Sequence, residues 1–341
     1  MNNSSSSSSN SVEPRLVAIY VIWICQFLLI GLGNGVIAIT ILVYGALRTR
    51  KEYLIILGLS AADALNILGY GCVGAYRLYM MRAGEFFGLR STLFCFMVPG
   101  TFLISSFERA ATMMLVMVSL DRLLCVVFPL PYYFFKAPYA YSLLFIAFSS
   151  GLGFWLIGLI IALVTSDQLG SVSAACFTGQ VYLSINPYFA LYGMYIVPTL
   201  GVVSVILYFA VGVVYFRGRR SNVVGVGKSK PEQRSERKRQ QKLTRSLGLS
   251  CVCTLMLLVL PVCLAFSGEL FSWPRLVMQI LWMFPNFNPL CNMIIYFKRQ
   301  PELRTAVLAM FKAKRMPANL DMWQLDESVA KRDAGCKETG L

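Results

Sequence analysis

The chain has 341 residues, 57% of them hydrophobic and only 14% charged, with a formal net charge of +15. Soluble domains are about half apolar and about a quarter charged, so this balance excludes an ordinary soluble fold and points to a bilayer as solvent. Histidine is absent, which removes imidazole zinc sites and histidine general bases, and no catalysis is expected.

In chain order, residues 1–15 form a Ser/Asn-rich arm (MNNSSSSSSNSVEP and Arg15) without a basic n-region or an apolar core. It reads as a disordered extension, and the first span serves as its own signal. Asn2 and Asn3 stand in Asn-x-Ser sequons, candidates for glycosylation on an extracellular arm.

Residues 16–47, 137–166, 168–216, 246–268 and 276–297 contain no Asp, Glu, Lys or Arg. About 20 apolar residues cross the roughly 30 Å hydrocarbon core as a helix, and each run is long enough. Two more runs qualify: 53–76, interrupted by Asp63, and 91–120, interrupted by Glu108 and Arg109. The stretch Gln168–Pro187 is polar enough to be a loop, which leaves spans near 16–44, 53–80, 96–124, 139–165, 188–216, 246–267 and 274–297. The expected fold is an all-α membrane protein, a seven-transmembrane helix bundle over 16–297. Long unbroken apolar runs argue against a β-barrel, whose strands alternate. Their number and length argue against buried helices of a soluble protein.

The positive charge is topological. Of the 31 Lys and Arg, 25 fall in the segments between spans one and two, three and four, five and six, and after residue 297. The positive-inside rule then places the N-terminus of this multi-pass chain outside. The basic excess suits anionic lipid headgroups and gives no support to nucleic acid as a partner. The segment 217–245 is a polar, basic third inner loop. Beyond it, residues 298–315 place Leu303, Val307, Met310 and Phe311 at helical spacing among basic residues. That is the pattern of a short amphipathic helix in the inner membrane interface. Residues 316–341 read as a disordered cytoplasmic tail ending in Thr339-Gly340-Leu341, the Ser/Thr-x-apolar form that PDZ domains capture.

Polar groups inside spans are costly and mark function. They are Asn34 after Gly33; Asp63 in Leu59-Ser60-Ala61-Ala62-Asp63; Asp121-Arg122-Leu123 with Phe128-Pro129-x-x-Tyr132; and Asn288-Pro289 followed by Asn292-Met293-Ile294-Ile295-Tyr296. With Pro198, Pro261 and Leu303-Arg304, these motifs stand in order at the right depths. The chain resembles the rhodopsin-like (class A) G-protein-coupled receptors over roughly residues 16–315. It is most similar to the nematode Srsx serpentine chemoreceptor-like class.

The resemblance implies a location in the plasma membrane, an extracellular ligand, a heterotrimeric G protein as partner, and an activation switch of Asp121, Arg122, Pro261, Asn292 and Tyr296. It also implies a buried network of Asn34, Asp63, Asn288 and Asn292 that could hold water or Na⁺, with no other cofactor and no metal. The departures are Met293 in place of the motif's proline, Val259 where a tryptophan usually precedes Pro261, and Gln241 in place of an acidic partner for Arg122. A step of 27 residues from Cys95 to Arg122 is two longer than the family's. Most of the ten cysteines lie within spans; only Cys95 and Cys176 fall at the oxidising face, which leaves one disulfide pairing.

Glu108 and Arg109 stand fourteen and thirteen residues before Arg122, which at 1.5 Å per residue is roughly 20 Å above the inner end. Neighbours on a helix point about 100° apart, so the two cannot face one partner squarely. They are the candidate polar anchor of a ligand pocket walled by Phe107, Tyr76, Arg77, Gln279 and Trp282. The bland alternative is an internal pair, Glu108 neutralised by Arg77 or Arg109. A transporter or channel, or a non-signalling seven-helix accessory protein, stands beside the receptor reading; the absence of internal repeats counts against the first.

Overall fold

The computed structural model describes residues 14–165, 169–221, 249, 252–270, 273–274, 277, 280–281 and 283–312. Among them, five helices are long and apolar enough to cross a bilayer: Pro14–Val43, Lys51–Arg82, Pro99–Val127, Ala137–Val164 and Pro187–Val214. The apolar helix Val252–Ala265 belongs to span six, and a 3-10 turn, Phe284–Phe287, leads into the inner end of span seven, Asn288–Arg299. The protein is thus an all-α bundle with its spans in the expected order.

Spans two and three form the centre, with 72% and 61% of their apolar windows buried against 22% for spans one and four. The outer spans instead turn large apolar side chains outward, among them Leu29, Val43, Phe145, Ile157 and Phe209. That surface suits lipid rather than water. Between spans three and four the backbones meet at Gly151, where any Cβ would collide with the Ser106 carbonyl. Close backbone approach of this kind is how spans pack without a hydrophobic driving force.

Proline sets several boundaries. It occupies the first turn of the helices beginning at Pro99, Pro129, Ala137 and Pro301, where its missing N–H costs nothing. Pro99 also keeps Val98 extended (φ −56°, ψ 128°), as a residue before proline prefers. Cys95 therefore rides on a separate short helix, Thr92–Met97, and span three begins only at Pro99. The break absorbs the two-residue excess between Cys95 and Arg122. In span six the ladder widens into a π-turn, Leu255–Val259, just before Pro261, which has no N–H to give and crowds the carbonyl four residues back. Span one carries a second π-turn, Phe27–Gly31.

Three expected boundaries move. The helix of span one starts at Pro14, so the last residues of the expected arm are helical. Span seven runs to Arg299, so the following helix begins at Pro301 rather than 298; it is described over Pro301–Phe311, and 313–315 lie outside the described residues. Its inward face is Leu303, Ala306 and Val307, whereas Phe311 is 71% exposed; one turn beyond Val307 the helix has run past the bundle. Glu302 ties this helix to the first inner loop, taking Arg50 at 3.0 Å and the Tyr53 hydroxyl at 2.7 Å.

The end at which the first helix begins, outer in the expected topology, carries a cap. Strand β1 (Leu89–Ser91) pairs antiparallel with β2 (Ser171–Ser173), and Cys95 is joined to Cys176 by a disulfide. A helix of the second outer loop, Thr178–Ile185, then drops Val181, Tyr182 and Ile185 into the bundle.

Candidate functional site

At the inner end of span three, Asp121 and Arg122 are both buried and form an ion pair. The chain reverses at Phe128-Pro129, and the short helix Pro129–Phe134 returns Tyr132 to this pair. The Tyr132 hydroxyl donates to Asp121 at 3.0 and 3.2 Å and accepts from Arg122 Nη2 at 3.2 Å. Burial pushes the Tyr132 phenol above its ordinary range, which keeps the donated proton in place. Lys51, at the start of span two, donates to the Tyr132 carbonyl at 2.7 Å and sits 3.5 Å from the centre of its ring. The inner charges thus satisfy one another, as buried charges must. Tyr296 lies buried in the same inner core.

The middle layer distributes its polar groups differently from the single network expected. Asn34 donates to two main-chain carbonyls, Ile30 at 3.0 Å and Pro289 at 3.4 Å. Asn288 accepts from Thr254 of span six at 3.2 Å. Asp63 and Asn292 neighbour one another by side-chain hydrogen bonding, and Asp63 keeps one buried oxygen without a protein partner. The reason is height: Asn288 sits one turn above Asn292 and reaches span six instead. Pro261 is buried directly after the π-turn of span six. Met293, the departure from the span-seven motif, fills the place where a side chain on Gly33 would stand.

In the outer half, Arg109 points toward spans four and five. It donates to the carbonyls of Ser105 at 2.8 Å and Gly193 at 2.9 Å, and its guanidinium lies 3.6 Å from the centre of the Phe154 ring. The Glu108 carboxylate comes within 3.9 Å of it and remains 29% exposed against 4% for Arg109. The Glu108 charge also acts on Tyr70 of span two, whose ring packs on Trp23 of span one.

The other expected wall residues divide. Arg77 is held by the carbonyls of Ala175 and Cys176 at 2.8 and 3.2 Å, with Phe177 over it, so it anchors the outer cap and does not neutralise Glu108. Tyr76 likewise donates to Ala174 at 3.0 Å. Phe107 stands between Phe102 and Phe148, on the side of span four, because one step along a helix turns it away from Glu108. Gln279, Trp282, Gln241, Asn2, Asn3 and the terminal Thr339-Gly340-Leu341 lie outside the described residues.

Sequence reasoning passed over Lys51, Tyr182 and Phe154, and named Tyr132 only within a motif, without its partners. Tyr132 carried a signal, the Phe128-Pro129-x-x-Tyr132 spacing after span three. Lys51 was legible only as one more basic residue of an inner loop, and nothing local marks Phe154 or Tyr182 as partners of Arg109.

The family described as 7 transmembrane receptor (rhodopsin family) matches this chain over residues 33–296. No curated protein matches the chain.

Proposed function

Because the chain belongs to the rhodopsin family of seven-transmembrane receptors, we propose that it carries an extracellular signal across the plasma membrane to a heterotrimeric G protein. The N-terminus faces out and the basic loops face in. The observation that carries this reading is the closed inner cluster of Asp121, Arg122 and Tyr132. It is a set of buried charges with two sensible arrangements, paired with one another or opened to a partner. A ligand acts by binding the open arrangement more tightly, since only a differential affinity moves a two-state equilibrium.

The ligand enters between the outer halves of the spans, beside Glu108 and Tyr70, where the spans leave a charge that is not fully spent. Asp63, below it, offers its unpartnered oxygen to water or Na⁺. Anionic lipid meets the basic inner face, and the C-terminal tail offers Leu341 to a PDZ domain.

The test is an expressed-cell assay that records G-protein recruitment and ion flux together. Arg122→Ala should reach the surface normally and lose coupling by at least about tenfold, since it removes the charge that the open state presents. Ion flux that follows an extracellular stimulus and survives this change, with no recruitment in the parent, would move the chain to a transporter or channel.

A further inference from the structure

Adjacent charges in a membrane span ought to cancel, yet Glu108 and Arg109 are treated unequally by their surroundings. The Arg109 guanidinium turns Nη1 to the Ser105 carbonyl, Nη2 to the Gly193 carbonyl and one face to Phe154, and its Nε is buried. Tyr182 closes the far side: its ring centre is 5.5 Å from the guanidinium carbon and 5.7 Å from that of Phe154, and its hydroxyl donates to Ser105 Oγ at 2.5 Å. Phe189 stacks on Phe154 at 4.6 Å and completes the cage. A cation so held is buried, with both terminal nitrogens on main-chain carbonyls and a ring over it, and is withdrawn from an entering molecule.

Glu108 is the open member. Its 3.9 Å separation from Arg109 exceeds the 2.7–2.9 Å of a charge-assisted hydrogen bond, and its side chain is the more exposed of the two. The neighbouring charges are spent as well: Arg77 on loop carbonyls, and Glu85 with Arg90 on each other at the rim. Arg15 and Arg82 lie at exposed helix ends. Among the described residues of the outer half, the bundle therefore shows an entering molecule a carboxylate.

We infer that the second outer loop sets the charge preference of the ligand site: Tyr182, with Phe154, cages Arg109, so that Glu108 selects a ligand carrying an amine or guanidinium. This rests on the ligand site proposed around Glu108. The loop is positioned for the task by the Cys95–Cys176 disulfide, which ends two residues before the helix Thr178–Ile185. Tyr182 is a positioning residue here; it acts through Arg109.

The experiment uses the full chain in membranes with a reporter thiol, Tyr70→Cys, and two probes of opposite charge, 2-aminoethyl and 2-sulfonatoethyl methanethiosulfonate. Each rate is divided by that of free cysteine, and the native thiols are subtracted with the unsubstituted parent. The amine reagent should be favoured about tenfold, the scale of one unit charge close by at a protein–water boundary. Adding Glu108→Gln should abolish the preference. Adding Tyr182→Ala should cut it severalfold by releasing Arg109, whereas Tyr182→Phe, which keeps the ring, should retain most of it. If Tyr182→Ala does not reach the surface, Phe154→Leu carries the same arm. A preference that survives loss of the cage, or an anionic or absent preference in the reporter, overturns the inference while leaving the proposed location of the ligand site. A reporter that neither reagent reaches overturns both the inference and the proposed location of the ligand site.

Discussion

Tyr132 shows what a single side chain contributes to the resting state. It is the common partner of Asp121 and Arg122, and hydrogen bonds to charged groups are worth about 1.5–3 kcal/mol each. Tyr132→Phe keeps the ring over Lys51 and removes only the hydroxyl. Basal G-protein recruitment at matched surface expression should rise severalfold, and an unchanged baseline would show that the hydroxyl is not part of the lock. The Asp-Arg pair was legible in the sequence because adjacent charges at the end of an apolar run have few other uses. Tyr132 was legible as part of a motif, but its meeting with this pair was not, because the distance from Tyr132 to Asp121 depends on how the chain reverses at Pro129. The same holds for Glu108 and Arg109: their height followed from the rise per residue, but their unequal exposure followed from Phe154 and Tyr182, which lie far away in the chain.

Helix boundaries and helix contacts respond to different information. Pro99, Pro129 and Pro301 announce where helices start, since proline fixes its own φ and restrains the residue before it. The pairing of spans three and four announces nothing in hydropathy, yet it hinges on Gly151. Gly151→Val should lower thermal stability markedly, measured as the Tm of detergent-solubilised protein, because the new side chain meets a carbonyl that cannot move aside. Gly153, two residues on, meets nothing within reach, and Gly153→Val should leave the Tm nearly unchanged. The helix Pro301–Phe311 gives a smaller expectation. Its Glu302–Arg50 bridge is partly exposed, so Glu302→Gln should cost no more than about 1 kcal/mol in the same measurement.

At the scale of the whole molecule, the disulfide ties the top of span three to a loop 81 residues away. A disulfide is typically worth about 2–4 kcal/mol, and a loop of that length lies at or above the upper end of this range. Replacing both Cys95 and Cys176 by Ser should lower surface expression and loosen the Tyr182 helix, and peptide mass spectrometry without reduction should find the two cysteines linked in the parent. The sequence by itself determined that the chain lives in a bilayer, how many times it crosses, and which polar residues lie at which depth. Those properties follow from local hydropathy and a constant rise per residue, which no neighbour can change much. The tertiary structure alone decided which of those polar residues meet: Asp63 with Asn292 but Asn288 with Thr254, Arg77 with the outer cap, Arg109 with Phe154. Partnership depends on rotation about the helix axis and on relative height between spans. In a bundle where every span is apolar on most faces, the pattern of residues leaves that rotation open until side chains and backbones pack.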